Sequence, residues 1–163
     1  MRDLDELTYA FEETVSELKR AEHSIYVSLK YTRTKDVLES ILERLINTLS
    51  NLIDFLIMLK TDEEFNPAKK IDLVLELYNE PFVKDVVKYY KLLRLVKKRD
   101  KIVQNQYRRH VKMIVEIAPK IFYIVDIDSV VENYKLIKSF VEIAHQYLLE
   151  IFHQKNLANS ELD

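Results

Sequence analysis

The sequence predicts a mainly α fold: an antiparallel helical bundle with one β-hairpin, at about residues 111–127, before the last helix. Three observations predict it. Apolar residues recur every three or four positions over most of the chain, which is the period of a half-buried helix. Only between Val111 and Ile127 does the period fall to two, with β-branched and aromatic enrichment. The chain has 163 residues, 48% hydrophobic and 32% charged, enough for one domain to close a core without metal or disulfide staples.

Leu4, Leu7, Phe11, Val15, Leu18, Ala21, Ile25 and Leu29 form one stripe, so residues 4–30 read as a helix. Residues 31–36 interrupt it, and Thr34 or Asp36 can accept a backbone N–H to start the next helix. From Val37 to about Lys60, Ile41, Leu42, Leu45, Ile46, Leu49, Leu52, Ile53 and Leu56 make a wide apolar face. Opposite stand Ser40, Glu43, Arg44, Asn47, Ser50, Asn51 and Asp54. These two segments form a long helical hairpin, with the second helix the better buried. Thr61–Asn66 is a loop, and Asn66 before Pro67 is an N-cap with proline at the first helical position. A short helix to about Tyr78 follows, then a helix over 81–98 that turns Val83, Val86, Tyr90, Leu93 and Val96 inward.

In the hairpin, Val111, Met113, Val115 and Ile117 alternate with Lys112, Ile114 and Glu116. After Ala118-Pro119-Lys120, Ile121, Tyr123, Val125 and Ile127 alternate with Phe122, Ile124 and Asp126. Two strands are marginal alone, so the hairpin must pack on the helices or pair with a second copy, a possible homodimer. Ser129 with Glu132 reads as a capping box opening a last helix to about His153. Its core positions are Val130, Tyr134, Ile137, Val141, Ala144, Leu148 and Ile151. The expected organisation is a single domain over 1–155 and a frayed polar tail over 156–163.

Several chemistries are excluded by composition. With no Gly there is no phosphate-cradling glycine loop, dinucleotide fingerprint, nucleophile elbow or EF-hand turn. With no Cys there is no disulfide, thiolate nucleophile or Cys-based metal site. Glu142–His145 and Glu150–His153 have the Glu-x-x-His spacing of di-iron bundles. Both lie on one helix with headings about 80° apart, so they cannot close one site. No catalytic residue, metal site or cofactor is expected. The polar stripe Asn47, Ser50, Asn51 and Asp54 is either a solvated face or a buried seam needing a partner. An enzyme built on that seam is the least favoured function. Acids from Asp3 onward argue against a secretory signal. Leu45 to Leu59, the most apolar stretch, is too short and too polar to span a membrane. A soluble, cytoplasmic protein is expected, and heavy Lys, Glu and Ile use resembles thermophile composition.

The formal net charge of −2 hides a strong asymmetry. Residues 84–112 contain eleven Lys or Arg and two acids, Asp85 and Asp100, a net of +9. The other fourteen bases and twenty-five acids carry −11. Lys84, Lys88, Lys91, Arg94, Lys98 and Lys101 fall three or four apart, on one expected helix face. Such a row attracts polyanions, and Tyr89, Tyr90 and Tyr107 nearby have faces on which unpaired bases can stack. Against this, a solvated helix face is often Lys-rich, and Tyr90 fits the core better. Tyr107-Arg108-Arg109-His110 is a sharper cluster, offering planar donors to phosphate. Its other reading, slightly the favoured one, is a solvated helix end with cations at the negative dipole terminus.

A helical hairpin followed by further antiparallel helices, over about residues 4–110, resembles the HEPN-type bundles. These include RNases and the helical partners of minimal nucleotidyltransferases. HEPN nucleases carry an Arg followed, after four to six residues, by a His. Here Arg20 is too close to His23 and Arg99 too far from His110, so the nuclease site does not carry over. Leu29-Lys30-Tyr31-Thr32-Arg33-Thr34, Tyr107-Arg108-Arg109-His110-Val111, Met113-Ile114 and Asp126-Ile127-Asp128 are similar to phrases in a family of small uncharacterised archaeal helical proteins. That resemblance spans most of the chain and implies no activity.

The expected function is therefore a non-enzymatic binding protein whose basic face, residues 84–112, docks on RNA or a ribonucleoprotein. The alternative is a homo-oligomeric helical adaptor whose basic face meets an acidic protein partner, for which the resemblance implies a HEPN-like nucleotidyltransferase partner.

Overall fold

A computed structural model describes residues 2–162. Helix α1 (Leu4–His23), a π-helical turn (Ser24–Ser28) and α2 (Leu29–Tyr31) run on as one rod. The Asp3 carboxylate starts it by accepting the Asp5 N–H at 3.3 Å. Of the two capping candidates for α3 (Lys35–Lys60), Thr34 is the one used: its hydroxyl accepts the Val37 N–H. Buried residues occupy most of the circumference of α3, from Leu38 through Ile57. It is the central element, and α1, α4 (Lys70–Leu77), α5 (Pro81–Lys98) and α6 (Ile127–Leu162) all pack against it. Asn66 caps as expected, its side chain accepting the Ala68 N–H, and Pro67–Lys69 form a 3₁₀ turn leading into α4. Pro81 sits in the first turn of α5, whose Val83, Val86, Val87, Tyr90, Leu93 and Val96 enter the core.

The sheet has three antiparallel strands in the order β1-β2-β3: Lys101–Gln104, Lys112–Ala118 and Ile121–Asp126. β2 and β3 are the expected hairpin. β1 extends it, pairing Val103 with Met113 and Ile102 with Ile114. This third strand escapes a sequence reading because four residues bounded by charge are too few to show a period. Inward-facing Met113, Val115 and Val125 are buried under the helices, which supplies the packing that a hairpin alone lacks. The opposite face leaves Ile102, Phe122 and Ile124 exposed. The tight turn between β2 and β3 places Lys120 at φ 62°, and Glu116 Oε1 accepts its N–H at 3.1 Å.

α6 opens with a different capping pair from the one the sequence suggests. Asp126 Oδ1 accepts the Ser129 N–H at 2.8 Å, and Ser129 Oγ accepts the Asp126 N–H at 2.9 Å. Ser129 is thus the inner partner of the box, with Asp126 as the cap, and Glu132 is exposed. At the other end α6 continues past His153 to Leu162, because the sequence after Pro119 holds neither proline nor glycine to stop it. At 36 residues against 26 for α3, and about 1.5 Å per residue, its C-terminal turns outrun the bundle and are largely exposed. Met1 and Asp163, the outermost residues of the expected domain and tail, lie outside the described residues.

The Asn47–Asp54 stripe is half-buried. Lys70 of α4 meets its Ser50 and Asp54, donating from Nζ to Ser50 O, Ser50 Oγ and, at 3.0 Å, Asp54 Oδ1. Among the described residues no buried side-chain polar atom is left without a partner. At Ser50 and Asp54 the partner of the seam is a side chain of this same fold.

Candidate nucleic-acid interface

The spacing that turns Val83, Val86, Val87, Tyr90, Leu93 and Val96 inward necessarily turns Lys84, Lys88, Lys91, Arg94 and Lys98 out. All five are exposed. They rim two shallow depressions of about 560 and 540 Å³ along α5, which share Lys91 as a common wall. Leu75 and Val87 floor the first, Ile46 and Leu95 the second. Among the described residues, the single ion pair in 84–112 joins Lys97 to Glu43 at 3.4 Å. Among the described residues Lys84, Lys88, Lys91, Arg94 and Lys98 pair with no carboxylate. Arg94 packs its guanidinium over the Tyr90 ring at 5.3 Å, which fixes its direction without neutralising it.

Lys101 does not belong to this row. α5 ends at Lys98, and Lys101 opens β1 with Nζ donating to the Lys97 carbonyl at 2.8 Å and the Arg99 carbonyl at 3.0 Å. It serves carbonyls left open at the end of α5. Two of the three tyrosines are also committed elsewhere. Tyr90 is buried, and Tyr89 is half-buried against Phe140 with ring centroids 6.0 Å apart. Tyr107 alone of the three offers a free face, being 79% exposed.

Tyr107, Arg108, Arg109 and His110 lie in the connection from β1 to β2, not at a helix end, and all four are exposed. This loop is pinned. The Tyr107 N–H donates to the Arg33 carbonyl at 2.8 Å. Gln106 Oε1 accepts the Lys35 N–H at 2.9 Å, satisfying an open donor at the start of α3. Asn105 Nδ2 donates to the His110 carbonyl at 3.3 Å. Asn105 and Tyr107 adopt left-handed backbone, at φ 58° and 65°. Arg109, His110 and Lys112 also line a concavity of about 440 Å³ with Asp126, Ile127 and Asp128 at the start of α6.

The pinning adds residues that sequence reasoning missed. Residues 31–36 read as a break between helices with a cap for the second, yet the fold bonds Arg33 and Lys35 to this loop through Tyr107 and Gln106, with Tyr31 two residues from the first of these bonds. Their own composition, Tyr-x-Arg-x-Lys after a Lys, was the available signal, a short match to the loop's own mixture of aromatic and cation.

The two Glu-x-x-His pairs of α6 stay on separate headings, and His145 stacks on Phe11 with centroids 5.1 Å apart. Among the described residues no group of three or more His, Asp or Glu is placed to hold a metal ion. No helix among them is long and apolar enough to cross a membrane. No protein-family description, curated protein or solved structure matches the chain.

Proposed function

We propose that this protein is a non-enzymatic binding module that docks its basic face on RNA or a ribonucleoprotein. One observation carries the reading: five outward cations on α5, with no carboxylate partner among the described residues, stand in line along two shallow grooves. A row of solvated cations neutralises phosphates and releases their counterions, which favours binding without reading sequence. The apolar groove floors give ribose and base edges a surface from which water can be displaced. Arg108 and Arg109, exposed in the connection from β1 to β2, add planar donors suited to phosphate.

The test is retention of RNA by the double variant Arg108→Glu, Arg109→Glu. Both side chains are exposed on a loop, so helicity by circular dichroism stays at the wild-type level. Binding of RNA at 0.1 M salt is lost. Unchanged retention overturns the proposal.

A further inference from the structure

We infer that Tyr31 and Tyr107 form a stacking platform for the unpaired bases of single-stranded RNA, with Arg33, Lys35, Arg108 and Arg109 holding its phosphates. The inference rests on the RNA reading above and names the kind of RNA that the sheet end of the basic face takes.

The two rings are 78% and 79% exposed, among the barest large side chains of the fold. Among the described residues no aromatic ring lies against either, and the Lys30 ammonium stands 5.9 Å from the Tyr31 centroid. Chain separation hides their proximity. The 2.8 Å bond from the Tyr107 N–H to the Arg33 carbonyl puts Tyr107 beside a residue two positions from Tyr31. Adding standard backbone lengths, the two Cα atoms are no more than about 14 Å apart. About four nucleotides stacked at roughly 3.4 Å each cover that span.

Backbone geometry supports a function for the Tyr107 ring. Left-handed φ is ordinary for Asn105, but for a bulky residue it is a conformational cost that glycine would avoid. At 79% exposure the ring returns little of that cost to the core. The loop around it is held at both sides by the Gln106 and Asn105 bonds, so the ring is presented from a fixed backbone and little ordering remains to be done on binding.

Unpaired bases are the ligand that uses such rings. In a duplex the base faces are stacked on one another, and double-stranded RNA is met mainly through its phosphates and 2′-hydroxyls. The α5 row serves either form of RNA. Two bare tyrosines set among guanidinium groups serve only strands whose bases are free to stack.

The experiment is fluorescence anisotropy of a labelled 12-nucleotide RNA strand, its RNA duplex and the DNA strand of the same sequence. Wild-type protein is compared with Tyr31→Ala, Tyr107→Phe and Tyr107→Gly. The strand is expected to bind more tightly than the duplex. Tyr31→Ala and Tyr107→Gly each weaken strand binding about 5- to 100-fold, while Tyr107→Phe keeps it. Tyr107→Gly relieves the left-handed backbone, so its melting temperature does not fall and lost binding cannot be laid to unfolding. Equal affinity for strand and duplex, or wild-type affinity in Tyr107→Gly, overturns the platform and leaves the basic-face reading standing. A tenfold preference for the DNA strand overturns the assignment to RNA. If the wild-type protein binds none of the three, the underlying reading fails as well.

Discussion

Lys70 Nζ lies 3.0 Å from Asp54 Oδ1, and it does so from a side chain only 10% exposed. The same ammonium sits 5.6 Å from the centroid of the Tyr90 ring and bonds Ser50. One cation therefore ties α4 to the polar stripe of α3 and to the buried ring of α5. Asp54 keeps 38% of its side chain in water, so solvent screens much of what the pair gains. Lys70→Met, which keeps the stem, is expected to cost about 1 kcal/mol. Lys70→Ala, which also opens a gap, costs about 2 kcal/mol. Urea unfolding midpoints check both values.

Tyr78 donates its hydroxyl to the Leu56 carbonyl at 2.6 Å inside the core. Burial, with Glu80 nearby, pushes its pKa well above the ordinary 10.0. Tyr134 is pushed up to about 12, first by burial and then by the nearby Glu22 carboxylate. Both shifts favour the neutral phenol in the folded state. Above pH 10 the unfolded chain loses these protons first, so it binds fewer than the native state and stability falls as pH rises. The contribution is complete below pH 10 and drains away as pH climbs through 12. Urea midpoints measured from pH 8 to 11.5 should fall steadily over the upper half. Tyr134→Phe flattens that fall. Tyr78→Phe also flattens it, at a cost of about 1 kcal/mol at pH 7 for the lost bond.

Asp126 and Ser129 join the last residue of β3 to the first turn of α6 through two reciprocal bonds. Asp126→Ala is expected to cost about 1–2 kcal/mol, because it removes the cap and leaves open donors at a helix start. Glu132→Ala, at an exposed position, stays within about 0.5 kcal/mol of wild type. Thermal unfolding of the two variants separates this capping pair from the Ser129–Glu132 box that the sequence suggests.

That displacement shows what a sequence can carry here. Periodicity is local and redundant, so the helices over 35–60 and 81–98 and the alternation in 112–126 are legible from the apolar residues alone. Capping depends on which of several neighbouring polar residues meets the N–H groups, and Asp126, Ser129 and Glu132 are all plausible until the strand end is fixed. β1 has four residues and gains its identity only by pairing with β2. The site divides in the same way. The outward row on α5 follows from spacing, because a helix sends inward and outward positions along predictable headings. The meeting of Arg33 with Tyr107 depends on a hydrogen bond between segments more than seventy residues apart, and no local pattern encodes it. Lys101 is the opposite error: continuing a three-four spacing past Lys98 placed a strand residue on a helix face.

Lys91 and Lys101 test the interface against that distinction. Lys91 walls both grooves of α5 and has no ion-pair partner among the described residues, so under the proposed function its charge is free for phosphate. Lys101 spends its ammonium on the Lys97 and Arg99 carbonyls, so its work is done on the fold. For a single strand, the logarithm of affinity falls against the logarithm of salt with a slope of about −0.7 per phosphate neutralised. Lys91→Ala is expected to weaken RNA binding at 0.1 M salt and to make that slope shallower by about 0.7, with no change in melting temperature. Lys101→Ala is expected to leave the slope alone and to cost about 0.3–1 kcal/mol of stability, the worth of a cation at a helix C-terminus. Binding titrations at four salt concentrations, with melting curves on the same samples, resolve the two residues. Equal slopes for wild type and Lys91→Ala would remove Lys91 from the interface.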